Sequence, residues 1–151
     1  MNVERITWEE ISDIWETELW PGRASKIEPV STIMYGFWPY LYDYWELKIQ
    51  LPSFFGVFEG NNLVAVNSGH AAWKMYRSRG LYVHPLYRGL GLGKKLLLAT
   101  IEQARLEKKR FVWSIPRKDS LPAYESVGFQ RTTEWFETET AQLNCFVLLP
   151  L

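Results

Sequence analysis

A glycine-rich segment between an extended stretch and an amphipathic stretch constrains the fold of this chain most. Gly89, Gly91 and Gly93 fall within five positions, between Arg88 and Lys94. The preceding letters LYVHP are typical of a strand ended by proline, and leucines follow at helical spacing. Glycines at a helix start leave unpaired N–H groups accessible, and these groups attract anions together with the positive end of the helix dipole. The segment therefore predicts a strand, an anion-binding loop and a helix, in that order.

Length and charge exclude several other classes of protein. The chain has 151 residues without a repeat or linker, so residues 1–151 are expected to form one domain. Lys and Arg total 17, as do Asp and Glu, which argues against nucleic acid or an anionic membrane as partner. No apolar run approaches the about 20 residues of a membrane span. With one cysteine and no export signal, a cytoplasmic protein is expected.

The N-terminal part predicts one amphipathic helix. Thr7 and Glu10 have the spacing of a capping box, and Ile6 and Ile11 have the spacing of a hydrophobic staple. Pro21-Gly22 should end this helix. Four prolines then interrupt residues 21–52, which predicts a loop and a short aromatic helix.

The rest of the chain alternates strand and helix patterns. SFFGVFEG, a turn at Asn61-Asn62, LVAVNSGHAAW and SRGLYVHP predict three antiparallel strands. A helix over about residues 91–108 follows, then the strand RFVWSIP, a short helix in DSLPAYESVGF and a closing pair of strands, WFETET and LNCFVLLPL. This order predicts an α/β fold with a mixed sheet.

Two well-known phosphate loops do not fit the glycine segment. A Walker loop needs a glycine where Arg88 stands and a hydroxyl residue where Lys95 stands. A dinucleotide fingerprint places its third glycine one residue later and follows the first strand of its unit, whereas this loop lies past the middle of the chain. A third type of loop fits the spacing.

The spacing Arg88-x-x-Gly91-x-Gly93, between a strand and a helix, resembles the coenzyme A loop of the GNAT superfamily of N-acetyltransferases. Downstream, PAYESVGF resembles the Tyr-Glu-x-x-Gly-Phe segment on the last helix of that family, beginning at Tyr124. One predicted strand separates the two motifs, as in the family. The resemblance covers roughly residues 54–149, and the first 50 residues match only as a helix-rich opening.

The resemblance implies a mostly antiparallel sheet that splays between two central parallel strands, with coenzyme A in the opening. It implies that the strand before the loop pairs with pantetheine and that the loop amides hold the diphosphate. It also implies that Tyr124 protonates the departing thiolate, which is reasonable for a thiol with a pKa of about 8.5. The implied cofactor-binding residues are Leu81, Tyr82, Val83, Arg88, Gly89, Leu90, Gly91, Leu92, Gly93 and Lys94.

The general base is left unassigned. An alkylamine has a pKa of about 10.4, so it must lose a proton before it attacks a thioester. Many family members carry a glutamate on the strand before the loop, but YRSRGLYVHP offers Arg77 and Arg79 and no acid. The helix after RFVWSIP also lacks the asparagine often found at its start.

Other residues with reactive side chains have plainer interpretations. His70 lies inside a strand, where a paired structural histidine is favoured over a base, and His84 precedes a proline at the strand exit. Cys145 lies in an apolar run, so we expect its side chain to be a small buried hydrophobic group rather than an acyl-enzyme nucleophile. Arg77 and Arg79 are interpreted as solvated strand charges, although they could also attract an acidic substrate.

The expected function is acyl transfer from acetyl-CoA to a small-molecule or peptide amine, by direct attack in a ternary complex and without a metal. A monomer or homodimer is expected. The aromatic segment of residues 20–45 would cover the acceptor side, unless its rings belong to the core. One alternative is a sensor or interaction module that binds acyl-CoA without turnover, supported by the missing glutamate. Another is a nucleic-acid-directed transferase, which the zero net charge weakens.

Overall fold

The computed structural model describes residues 1–30, 51–138 and 142–151. The aromatic helix expected in residues 21–52 and the aromatic segment beyond residue 30 therefore lie outside the described residues. The strands are β1 (Val3–Arg5), β2 (Ser53–Glu59), β3 (Asn62–Ala72), β4 (Met75–Val83), β5 (Phe111–Ser114), β6 (Gln130–Arg131), β7 (Phe136–Glu137), β8 (Leu143–Asn144) and β9 (Val147–Pro150). The helices are α1 (Trp8–Ile14), α2 (Leu92–Leu106) and α3 (Leu121–Ser126).

The capping box predicted at the first helix is confirmed. The Thr7 side chain accepts a hydrogen bond from the Glu10 amide, and the Glu10 carboxylate accepts one from the Thr7 amide. The helix continues through a π-helical turn, Trp15–Leu19, before the chain turns at Pro21. Its buried face carries Ile11, Trp15 and Leu19, which pack together.

Seven strands form one mixed sheet in the order β1-β2-β3-β4-β5-β9-β6. Every pairing is antiparallel except β4 with β5, which is parallel. The predicted fold class, a mixed and mostly antiparallel sheet flanked by helices, is confirmed. The sheet needs a crossover between β4 and β5 because they run in the same direction, and α2 provides it.

Two local expectations differ from the structure, and one short strand was not expected. The first hairpin turns at Gly60-Asn61 rather than Asn61-Asn62, since Glu59 pairs with Asn62 and Gly60 has a φ of 59°. The short strand β1 was not predicted. The closing part divides into β6, the small β7-β8 hairpin and β9, which pairs with β5, instead of forming one pair of strands.

Helices cover both faces of the sheet. On one face, Leu96 of α2 packs with Phe55 and Val57, and Leu97 packs with Tyr76. On the other face, Trp15 packs with Val66 and Tyr82. The strand residues alternate between the two faces, so both sides of β3 and β4 are apolar, as in a sheet buried between two layers of helix.

A bulge in β4 shapes the centre of the sheet. Val66 pairs with Tyr82 and Ser68 pairs with Arg79, so β4 carries one residue more than β3 across this interval. Gly80 lies in the bulge with a φ of 77°, and its carbonyl accepts a hydrogen bond of 2.9 Å from the Trp15 indole. The β4-β5 pairing extends only to Arg77. Beyond it the two strands separate, which opens a gap in the middle of the sheet.

Gly80→Ala should lower the free energy of unfolding by about 2 to 5 kcal/mol. A Cβ at Gly80 would lie 2.3 Å from the Trp15 ring, and the left-handed backbone adds a cost of about 1 to 2 kcal/mol. Gly60→Ala is the matched control, because Gly60 also has a positive φ but nothing within 4 Å of its Cβ. Urea unfolding of both variants measures the difference. Equal losses for the two variants would show that contact with Trp15 does not limit position 80.

Candidate active site

A cleft of about 780 Å³ opens where β4 separates from β5, at the N-terminus of α2. The glycine loop, residues 88–94, forms one wall, the end of β4 forms a second and the start of α3 forms a third. Eight of the predicted cofactor-binding residues line this cleft: Leu81, Tyr82, Val83, Arg88, Gly89, Gly91, Gly93 and Lys94.

The glycine loop presents free backbone amides to the cleft. The first intrahelical hydrogen bond of α2 runs from the Lys95 amide to the Gly91 carbonyl, so the preceding amides of this turn have no intrahelical acceptor. Gly89 and Gly91 have φ values of 80° and 78°, which side chains rarely adopt. A Cβ at either position would meet nothing within 4 Å, so the space beside the loop is open. The loop can therefore receive an anion closely.

Two of the predicted residues do not line the cleft. Leu90 is exposed, and Leu92 is buried in the core beneath α2. Either can contribute only its backbone to an anion held by the loop. The guanidinium of Arg88 donates to the Val83 carbonyl at 3.0 Å, which ties the loop to the end of β4.

A second, smaller space lies beside the cleft, in the gap between β4 and β5. This inner cavity has a volume of about 60 Å³, and Tyr124 forms part of its wall. Leu81 and Ser120 line both the cavity and the cleft, so the two spaces adjoin. A group that reaches down the cleft past Leu81 would arrive beside Tyr124.

The Tyr124 hydroxyl belongs to a buried network of hydroxyl groups. It lies 3.0 Å from Ser78 Oγ and 3.0 Å from Ser114 Oγ, and Ser114 Oγ also lies 2.6 Å from the Ser78 carbonyl. A carbonyl oxygen can only accept, so when Ser114 donates its single proton there, the phenol is the donor to Ser114. Burial raises the pKa of Tyr124, although the two serine hydrogen bonds oppose the shift. The phenol therefore stays protonated at neutral pH.

Arg77 and Arg79 are not the solvated strand charges that the sequence suggests. Arg79 is only 4 % exposed; its Nη1 donates to the Glu28 carbonyl, and its guanidinium lies 4.8 Å from the Trp15 ring centroid. The guanidinium of Arg77 lies 4.8 Å from the Trp113 ring centroid, and two of its nitrogens are buried. Both side chains line the inner cavity. The tryptophans come from distant segments, so a single strand could not reveal this burial.

Carboxylates are placed around the cleft rather than in the inner cavity. Among the described residues, the lining of the inner cavity includes no Asp or Glu, whereas Glu18 and Asp119 line the cleft. The geometry thus agrees with the absence of a strand glutamate in the sequence. The described residues therefore place no carboxylate base directly at the inner cavity.

Comparison with known proteins identifies the family. Residues 9–129 match the family model described as "Acetyltransferase (GNAT) family". The chain belongs to the GNAT acetyltransferase family. The match covers most of the chain, including the glycine loop and Tyr124, so the resemblance inferred from these motifs is confirmed. No curated protein matches the sequence significantly.

Solved structures share the GNAT fold at low sequence identity. The ribosomal-protein-S18-alanine N-acetyltransferase from Escherichia coli is 17% identical, with 99% of this chain and 92% of that chain covered and a TM-score of 0.63. The ribosomal-protein-alanine N-acetyltransferase from Brucella melitensis is 15% identical, with 100% of both chains covered and a TM-score of 0.65. A GNAT superfamily phosphinothricin acetyltransferase from Sinorhizobium meliloti, in complex with AcCoA, is 14% identical, with 99% and 88% covered and a TM-score of 0.66. At these identities the likeness shows the fold alone.

The remaining reactive side chains of this GNAT protein lie away from the inner cavity. His84 caps the short 3₁₀ turn Pro85–Tyr87 by accepting from the Leu86 amide, in agreement with a turn residue. His70 is buried in β3 and lines neither space. Cys145 is fully buried in the core, and burial raises the pKa of its thiol. The small-hydrophobe interpretation of Cys145 agrees with this placement.

Sequence reasoning missed the two serines that hold the Tyr124 hydroxyl. Ser78 lies between Arg77 and Arg79 in β4. Because side chains alternate along a strand, Ser78 lies on the face opposite to that of the two arginines, under α2. The alternation in YRSRG was therefore a usable signal for which face each side chain occupies. Ser114 gave no comparable signal, because its role depends on the separation of β5 from β4.

Across residues 1–30, 51–138 and 142–151, the GNAT fold contains no helix with the length and apolarity needed to cross a bilayer. Within the same ranges, no three His, Cys, Asp or Glu side chains group closely enough to hold a metal ion.

Proposed function

We propose that this GNAT protein transfers an acetyl group from acetyl-CoA to an amine by direct attack within a ternary complex. The observation that carries the proposal is the arrangement of two adjoining spaces. An anion-binding loop lines the outer cleft, and a protonated phenol lines the inner cavity at its end. A cosubstrate with a diphosphate at one end and a thioester at the other matches this order.

The residues of the cleft fit coenzyme A. The free amides at the start of α2 and the open space beside Gly89 and Gly91 suit a diphosphate, and Arg88 and Lys94 add positive charge. The backbone of residues 81–83 follows the cleft past the end of the β4-β5 pairing, so the edge of β4 that faces the cleft would be open to a pantetheine chain, apart from the Val83 carbonyl, which accepts from Arg88. These contacts would direct the thioester toward Tyr124.

Tyr124 would act as the general acid. The amine nitrogen forms a bond with the acetyl carbon, the carbon–sulfur bond breaks, and its electron pair remains on sulfur. Tyr124 donates its proton to that thiolate, and the proton released by the nitrogen restores the phenol, so that an amide and a thiol result. The raised pKa of Tyr124 keeps the proton available at neutral pH.

The inner cavity would favour the uncharged acceptor amine without a carboxylate base. Arg77, Arg79 and Arg117 all line it. Neighbouring positive charges disfavour the ammonium form of a bound amine and so lower its pKa. The proton is then lost to solvent as the amine binds.

Thiol release from acetyl-CoA, followed across a panel of primary amines, tests this function. We expect release that depends on both acetyl-CoA and one class of amine, with the acetylated amine detected by mass spectrometry. Calorimetry with acetyl-CoA alone provides the second measurement. Tight binding of acetyl-CoA without thiol release for any amine would contradict the proposal and favour a sensor or interaction module.

A further inference from the structure

The guanidinium of Arg77 lies at the inner cavity and over the Trp113 ring, and two of its nitrogens form no hydrogen bond within the described residues. Nε and Nη1 are shielded from solvent, and no acceptor within the described ranges forms a hydrogen bond with either. Burial lowers the pKa of Arg77 to about 10, so the group is still charged at neutral pH. No carboxylate among the described residues pairs with this charge; a buried charge without a counter-ion is costly and calls for a functional explanation.

The other two arginines of the cavity differ from Arg77 in this respect. Arg79 donates to the Glu28 carbonyl, and Arg117 donates to the Leu19 carbonyl. No carboxylate lies among the described residues that line the cavity. The inner cavity therefore has an excess of positive charge, and Arg77 is the member of the three with buried nitrogens that form no hydrogen bond within the described residues.

The size of the inner cavity suits a compact anionic group. About 60 Å³ is several times the roughly 10 to 15 Å³ that one water molecule requires. A carboxylate would fit, and the guanidinium is the side chain whose geometry best matches a carboxylate. Tyr124 and Leu81 line the same cavity, so an amine a few bonds away from that carboxylate would lie near the thioester.

We propose that Arg77 binds a carboxylate of the acceptor, and that the acceptor is therefore a small amine carrying a carboxylate, such as a free amino acid. This inference rests on the proposed function, because it names the substrate class of the same site. Arg77 neutralises the charge of the carboxylate, while the positive charges of Arg79 and Arg117 remain near the amine and disfavour its ammonium form. The cost of leaving Arg77 unpaired in the free protein is recovered when this acceptor binds.

Paired acceptors test the inference. Glycine, β-alanine, 4-aminobutyrate and methionine are each compared with the matching carboxamide, and kcat/KM is measured by thiol release. The amine of each carboxamide is less basic than the amine of the matching acid, so a larger fraction of it is uncharged at neutral pH. Intrinsic reactivity alone therefore favours the carboxamide as acceptor. We expect the wild type to prefer at least one acid over its amide by about tenfold or more, as charge-assisted hydrogen bonds would give.

Arg77→Gln should reduce that preference by about tenfold or more, chiefly by raising KM for the acid. Arg105→Gln is the matched control, since Arg105 is exposed on α2 and its removal should leave the ratio unchanged. Arg77→Met should also melt at a temperature equal to or above that of the wild type, because an unpaired buried charge is removed. A fall in melting temperature with an unchanged acid-to-amide ratio would make Arg77 a packing residue and overturn the inference.

A binding measurement separates this inference from the proposed function. The N-acetylated amino acids are titrated into the protein with saturating coenzyme A, and binding by the wild type but not by Arg77→Gln supports the carboxylate site even if no amine is turned over. Equal binding by both variants, or binding by neither, contradicts the site. If kcat/KM is the same for each acid and its carboxamide, only this inference is contradicted, and the acetyltransferase function would stand.

Discussion

Replacing Tyr124 by phenylalanine should lower kcat by about 10²-fold or more, the usual contribution of a general acid. The ring remains, so its packing against Phe129, with ring centroids 5.1 Å apart, is retained. Only the proton and the hydrogen bonds to Ser78 and Ser114 are lost. The affinity for acetyl-CoA should change little, because Tyr124 lines the inner cavity and not the cleft that we propose receives the diphosphate. Steady-state thiol release with the best acceptor amine, together with calorimetry, measures both quantities.

Tyr76→Phe provides the matched control for this experiment. Tyr76 is a second fully buried tyrosine, on the same strand as Ser78, but it lines neither the cleft nor the cavity. Removing its hydroxyl makes the same chemical change without touching the site, so kcat should remain within about twofold of the wild type. If Tyr124→Phe turned over as fast as Tyr76→Phe, Tyr124 would be a packing residue and another group would have to protonate the thiolate.

Gly91→Glu should weaken coenzyme A binding by about 100-fold or more, which corresponds to roughly 3 kcal/mol of binding free energy. The side chain would enter the open space beside the loop, where a Cβ meets nothing within 4 Å. Its carboxylate would occupy the position of the diphosphate and repel it. Calorimetric titration with coenzyme A measures the loss. Circular dichroism and the melting temperature show whether the fold is retained.

Gly91→Gln separates the effect of charge from the effect of backbone strain. Both substitutions impose a side chain at a φ of 78°, with a shared cost of roughly 1 to 2 kcal/mol in stability. Only glutamate adds a negative charge, so the glutamine variant should retain several-fold higher affinity for coenzyme A. Equal affinities for the two variants would mean that the loop does not hold an anion at this position.

The order of the main elements could be predicted because their signals are local. The capping box of Thr7 and Glu10 involves residues three apart, and the buried face of α2 follows from the spacing of Leu97 and Ile101. Strand β1 could not be predicted, because it has only three residues, two of them charged, and so shows no periodic pattern of apolar side chains. Its existence depends on pairing with β2, about 50 residues away, through contacts such as Val3 opposite Val57.

The candidate site could be predicted in part, for a similar reason. The glycine loop and Tyr124 lie in short motifs whose residues remain together in the chain. The burial of Arg77 and Arg79 depends instead on tryptophans contributed by β5 and by the π-helical turn that follows α1. A charged residue in an isolated strand is solvated in most proteins, and only tertiary packing reverses that expectation. The separation of β4 from β5, which creates both spaces, also has no local signal.

The contact between Trp15 and Gly80 has a consequence for synthesis of the chain on the ribosome. The Trp15 indole donates to a carbonyl 65 residues further along, so although Val66 of β3 packs on this cluster, the cover that β4 gives to Trp15 forms only once β4 has been made. At about 5 to 20 residues per second, that interval lasts roughly 3 to 13 seconds. During this time the apolar stripe of Ile11, Trp15 and Leu19 lacks its contacts with β4, among them the packing of Trp15 on Tyr82. We expect chaperones that bind such stripes to engage this chain early and to release it once the bulge of β4 emerges.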